Sequence, residues 1–335
     1  MMKHVFAALL MAVPLAAPAQ ERAEVIRGIV AEDIVGGFAE LDERAADMVQ
    51  ASGQDCTHPG LHESYAAAFS AWVRVSHLRF GPSEAENRAF ALAYWPDPRG
   101  RTAKAIRKML ADGDEDLLSA EAYADMSIAA RGFYALDYLL HEEDLATIGT
   151  PGYRCALVRT IVADIHGTTG ELAEAWGAFA PKLTEPGPDS PYRSEDEVLQ
   201  VLYKSASTGL EFASDMRLGR PLGTFERPRP NWAEAYRSGL SLRLLQEAVR
   251  GAGGLALRLA SGNAVLQDRL RAELEAFQTD AEALDDPVFA SVADPMGRFR
   301  VESLRTDVQD IREIVQGELG PALGVSAGFN SMDGD

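Results

Sequence analysis

Apolar residues recur at helical spacing along almost the whole chain, and the two-residue alternation of a half-buried strand is absent. Ile26, Val30, Ile34, Phe38, Leu41, Ala45 and Met48 form one stripe, Phe69, Val73, His77 and Phe80 a second, and Leu157, Ile161, Ile165, Leu172 and Trp176 a third. Each set falls on one side of a helix and must be buried against other helices, so the expected fold class is all-α. Ser83-Glu84-Ala85-Glu86 and Ser194-Glu195-Asp196-Glu197 read as capping boxes that start helices. Pro59-Gly60, Gly81-Pro82, Trp95-Pro96-Asp97-Pro98-Arg99-Gly100 and Gly219-Arg220-Pro221-Leu222-Gly223 read as breaks. No fixed-period repeat argues for a solenoid.

Pro181 to Pro191 holds four prolines, and the expectation is that a helix does not continue through it. It divides the chain into a helical bundle over 20–182, a proline-rich linker over 183–192 and a second bundle over 193–323. An acidic tail over 324–335 should fray. Ahead of the first bundle, Met1-Met2-Lys3-His4 and the apolar run Val5 to Val13 lead to Ala17-Pro18-Ala19. This is the pattern of a secretory signal over residues 1–19, cleaved after Ala19 with no cysteine there for lipid attachment. The expected location is the periplasm, and no later apolar stretch reaches the length of a membrane span.

Net charge narrows the partners. The sequence carries 32 basic and 51 acidic residues, a formal charge of −19, which repels nucleic acid and anionic lipid and attracts cations. Its two cysteines, Cys56 and Cys155, have no CxxC or nearby histidine cluster. In an oxidising compartment they read as a disulfide closing a loop of about 100 residues.

The segment Gly132-Phe133-Tyr134-Ala135-Leu136-Asp137-Tyr138-Leu139-Leu140-His141 separates on a helix into an apolar face and a polar row of Tyr134, Asp137 and His141. Two oxygens and one nitrogen suit a hard or borderline ion such as ferric iron better than a structural zinc. Gly132, costly in a helix interior, points to close approach by a backbone or a ligand. Four other segments concentrate polar residues that a bundle does not need. One carries Trp72, Ser76 and Arg79 on a single face, and a second carries Trp95 and Asp97 in a rigid turn. The others contain Glu211, with Arg217 beyond it, and Arg237 one turn from Ser241. His77 reads as a core histidine, being in register with Phe69, Val73 and Phe80. HExxH and glycine-rich phosphate loops are both missing.

In Trp72 with Arg79-Phe80-Gly81-Pro82, Tyr94 to Gly100, the Gly132 segment, Gly209-Leu210-Glu211 with Arg217-Leu218-Gly219, and Arg237 to Leu242, the chain resembles the imelysin-like family. These are exported bacterial proteins associated with iron-regulated operons, and the likeness is to their predicted periplasmic branch. The resemblance implies two helical bundles packed around a shared cleft, with a glycine-x-histidine-x-x-glutamate motif facing it. Here Tyr134 stands at the histidine position and Asp137 at the glutamate position. Trp72, Arg79, Trp95, Asp97, Gly132, Glu211, Arg237 and Ser241 are the cleft candidates, and Tyr134, Asp137 and His141 the metal candidates. The implied function is a periplasmic binding protein in iron or other metal acquisition or homeostasis. Its cofactor is unidentified, with iron or another divalent or trivalent cation the candidate. Its expected partners are a small ligand or metal ion and another envelope iron-uptake protein. The alternatives are a hydrolase with a degenerate metallopeptidase-like site and a partner-docking envelope protein. Peptidase activity fits poorly, because a tyrosine of unperturbed pKa about 10 cannot supply a neutral imidazole.

Overall fold

The computed structural model describes residues 17–325, and among them every regular element is helical. Helix α1 (Ala17–Gly28) runs through a π-turn (Ile29–Val35) into α2 (Gly36–Gln54), so its buried stripe is continuous from Ile26 to Met48. There follow α3 (His58–Val75), the short α4 (Arg88–Leu92), α5 (Arg101–Asp112), α6 (Ala120–Ala124), α7 (Gly132–His141) and the long α8 (Pro151–Thr184). The second half holds α9 (Glu195–Phe212), a π-turn (Ala213–Leu218), α10 (Gly219–Leu222), α11 (Ser241–Leu259), α12 (Ala264–Leu284), α13 (Pro295–Ile314) and α14 (Gly320–Leu323). The leader expected over 1–19 and the tail expected over 324–335 lie almost wholly outside the described residues.

One bundle is built from α2, α3 and α8, with α7 packed on α8; the other is built from α9, α11, α12 and α13. The three stripes seen in the sequence form the core of the first. Phe38 stacks on Trp176 with ring centroids 5.4 Å apart, and each such buried side chain contributes about 1.5–3 kcal/mol. Cys56 and Cys155 form a disulfide, Cα atoms 5.4 Å apart, tying the α2–α3 connection to the first turns of α8.

The bundles meet along α3 and α11, a seam that depends on glycines. A Cβ on Gly251 would collide with the carbonyl of Arg74, and one on Gly209 would lie 2.7 Å from the Cβ of His77. His77 therefore sits fully buried between the bundles as a core residue. Burial lowers its imidazole to about 4, so it is neutral there.

Two local expectations are corrected. Helix α8 continues through Pro181 to Thr184, because the proline lies in the last turn and costs only the bond to the Gly177 carbonyl. Glu185 N–H then closes on Pro181 C=O at 2.9 Å, and the irregular connection begins at residue 185. Ser83 caps no α-helix. Its hydroxyl accepts from the Trp176 indole at 3.2 Å, while Glu84 and Glu86 pair with Arg79 and Arg88 in successive 3-10 turns. At Ser194 the cap is present, its oxygen accepting from Glu197 N–H at 3.4 Å, and the Glu197 carboxylate reaches back to Arg193 N–H at 2.8 Å.

Candidate functional site

Helix α7 is buried on nearly all sides, so its polar row faces protein and not water. Gly132 is its first residue rather than an interior one, with φ +74°, and a Cβ there would run into the carbonyls of Ala91 and Leu92. Glycine is required both by this left-handed backbone and by the close approach of α4. Arg131, just before it, grips Asp164 of α8 with bonds of 2.7 and 3.0 Å and fixes the helix start.

Tyr134 and Asp137 are 7 % and 2 % exposed, and each is satisfied across an element boundary. The Tyr134 hydroxyl donates to Glu234, whose carboxylate is salt-bridged to Arg217 of the second π-turn; both members of that pair are buried. Burial raises the Tyr134 phenol well above its usual value, against the pull of Arg217, and lowers the Arg217 guanidinium to about 10, leaving it charged at neutral pH. Asp137 accepts from the Tyr65 hydroxyl at 3.2 Å. Burial lifts its carboxyl to about 6, although the Ser238 hydroxyl, Arg237 and Tyr65 all favour the charged form.

His141 turns elsewhere. Its Nδ1 lies 3.1 Å from the Asp137 carbonyl and 3.6 Å from Asp137 Oδ1, and its ring borders a separate pocket against Cys56 and Cys155. The three candidate metal donors are thus divided between two cavities, and among the described residues no group of three or more His, Cys, Asp and Glu is placed to hold a metal ion. A ferric ion would have to displace the proton of a phenol already raised by burial and engaged with a carboxylate. The donor set does not fit the metal that the sequence suggested.

What the row does line is a cleft of about 350 Å³ between the bundles. Tyr134, Asp137 and Tyr138 form its floor, Trp95 and Asp97 come from the turn before α5, and Arg220 and the segment Asn231 to Arg237 come from the second half. Arg237 stacks on Tyr138 at 3.9 Å and Tyr236 at 4.4 Å and is paired with Glu142. Arg220 stacks on Trp95 and Trp232 at 5.5 and 4.9 Å. Burial disfavours the charge of Asp97, but the backbone N–H of Thr102, 2.8 Å away, and those of Arg101 and Arg99 outweigh it and hold the carboxyl below its usual value.

The other cleft candidates lie apart. Trp72 is core. Arg79 is exposed, pairs with Glu84 and covers the Phe90 ring at 4.7 Å, so Arg237 and not Arg79 accompanies Asp137. Glu211 is bound to Arg312 at 2.9 Å on the α9–α13 contact. Ser241 donates to the Glu234 carbonyl at 2.6 Å, a positioning bond. Gly132 acts through backbone packing. Sequence reasoning missed Tyr65, Arg220, Trp232, Glu234 and Ser238. Arg220 and Trp232 are legible only as a cation and an aromatic beside turn prolines, and nothing local distinguishes Glu234, whose partners lie 17 and 100 residues away.

An all-helical protein of two bundles around a polar, aromatic cleft is the class these observations define. The sequence profile of imelysin matches residues 34–315, and the chain belongs to the imelysin family. Two crystal structures show the same fold. One is an imelysin-like protein from Psychrobacter arcticum 273-4, 19 % identical with a TM-score of 0.77, covering 96 % of this chain and 100 % of its own. The other is a putative iron-regulated protein A precursor from Parabacteroides distasonis ATCC 8503, 12 % identical with a TM-score of 0.72, covering 90 % and 95 %. Among proteins of curated function none matches significantly. No helix among the described residues is long and apolar enough to cross a membrane.

Proposed function

We propose that this is a periplasmic imelysin-family binding protein whose inter-bundle cleft holds a small ligand, in iron or other metal acquisition or homeostasis. The observation that carries the reading is the lining of the cleft. Both halves supply aromatic rings, and the second half two stacked arginines, to a cavity of about 350 Å³, within the range of small-molecule sites. Beside it the Tyr134 hydroxyl donates to Glu234 and the Ser241 hydroxyl to a backbone carbonyl. The signal-like first 19 residues and the precursor status of the Parabacteroides relative support export, and that relative's name supports a role in iron handling. Any iron would then arrive as part of a ligand and not on a tripod of protein donors.

The test is to purify the protein from the periplasm and examine it by native mass spectrometry and elemental analysis. A retained small molecule, lost when Trp95 is changed to Ala, is the expected result. Chelator-sensitive cleavage of a peptide library would overturn the binding reading in favour of a hydrolase.

A further inference from the structure

Among the described residues, Arg220 is the one cation in the cleft wall without a counter-charge. Its Nε is buried with no acceptor, and among the described residues no carboxylate lies within ion-pair distance of it; the charged group acting on it is Arg229, of the same sign. Both guanidiniums stack on Trp232, at 4.9 and 4.0 Å. In a chain with 51 acidic residues against 32 basic ones, two arginines held together without an acid form an unusual local field. Stacking uses the faces of a guanidinium and leaves the N–H donors at its edge, the geometry that receives a planar oxyanion in a bidentate pair.

We infer that the cleft is an organic-acid site, in which Arg220, stacked on Trp95 and Trp232 and supported by the field of Arg229, takes the carboxylate of a small molecule whose remainder lies on the aromatic wall. This rests on the binding reading above and names the ligand class. Two observations favour a carboxylate over a phosphate. Much of the wall is aromatic, which a bare inorganic anion does not use, and the ionised Asp97 borders the same cavity and repels a doubly charged group.

The probes are benzoate, succinate and citrate, with benzamide as the neutral counterpart of benzoate and inorganic phosphate as the bare anion. Binding is read by calorimetry and by the shift in melting temperature. At least one carboxylate should bind saturably and benzamide should not. Arg220→Gln should weaken that binding by about ten- to a hundredfold, as expected for a lost charge-assisted bond, while Arg220→Lys, which keeps the charge but not the fork, should fall between. Arg220 is only half-buried, so both variants should melt near the wild type without ligand. Equal binding to wild type and Arg220→Gln, equal binding of benzamide, binding of phosphate alone, or no carboxylate bound would each overturn the inference. If a neutral or cationic molecule is retained from the periplasm and the carboxylates are silent, the binding function stands and the anion site falls. If carboxylates bind through Arg220 but chelator-sensitive peptide cleavage is found, the reverse holds.

Discussion

Glu234→Gln should be among the most destabilising single substitutions in this protein. Glu234 and Arg217 are 3 % and 4 % exposed, and the Gln side chain keeps the shape of Glu but removes the only carboxylate paired with Arg217. Burial already pulls the guanidinium down to about 10, so it stays charged at pH 7 and must remain buried without a counter-ion. Removing one partner of a buried pair costs about 3–5 kcal/mol. The Phe212 ring, 5.4 Å from the guanidinium carbon, returns at most about 1–2 kcal/mol of this. At roughly 2–4 °C per kcal/mol for chains approaching this size, the net loss of about 1–4 kcal/mol should lower the melting temperature by about 2–16 °C. Calorimetric melting at pH 7 measures it, with two companions. Tyr134→Phe deletes one bond to the same carboxylate and should cost about 1–3 kcal/mol. The double variant Arg217→Met with Glu234→Gln removes both charges and should recover most of the loss, since buried pairs replaced by apolar groups are often near neutral. A Glu234→Gln shift under 2 °C, or a double variant as unstable as the sum of its singles, would refute the pairing argument.

Gly132→Ala meets both a left-handed backbone, worth about 1–2 kcal/mol, and overpacking against α4, worth about 1–3 kcal/mol, so urea unfolding should report a loss of about 2–5 kcal/mol. Burial lifts the Asp137 carboxyl to about 6 in the folded protein against an ordinary value of 3.8, so the folded state holds the extra proton between these values and stability declines as pH rises through that window. Asp137→Asn removes this term: its advantage over wild type should grow from pH 4 to 6, level off above, and reach the order of 3 kcal/mol, whereas a difference flat in pH would contradict it. Thiol titration of the unfolded, unreduced protein should find no free thiol, and Cys155→Ser should lower stability by about 4–5 kcal/mol for a 99-residue separation. Limited proteolysis should cut first in the connection between α8 and α9, residues 185–194, and dominant early cleavage within Phe69 to Phe80 would contradict the two-bundle division.

The helices were legible because burial acts through periodicity, and each stripe from Ile26 to Trp176 is a local pattern. Cys56 and Cys155 were legible for a different reason, being the sole pair available. Capping was harder to read. Ser83-Glu84-Ala85-Glu86 has the right letters, but Trp176, 93 residues away, takes the serine oxygen. The site was half legible. Tyr134, Asp137, Trp95, Asp97 and Arg237 stand out as polar or aromatic groups that a bundle does not need, and they share one cleft. Glu234 does not stand out, since its role exists only once α7 and the second π-turn are side by side. The same tertiary pairing overrides the donor chemistry of the Tyr134, Asp137 and His141 row. Three residues on one helix face need not aim at one point, and here Glu234 draws the phenol away while the helix carbonyl holds the imidazole.

The glycine seam between α3 and α11 bears on how a ligand gets in. Main chain packs directly on side chain and main chain at Gly209 and Gly251, so a hinge between the halves would have to break these close contacts. A clamshell that closes on its cargo works against this seam. Local entry, through the short turns bearing Trp95 and Trp232, the latter 45 % exposed, leaves the seam intact. The cavity is offered already shaped, so filling it should leave the radius of gyration unchanged while quieting those two indoles.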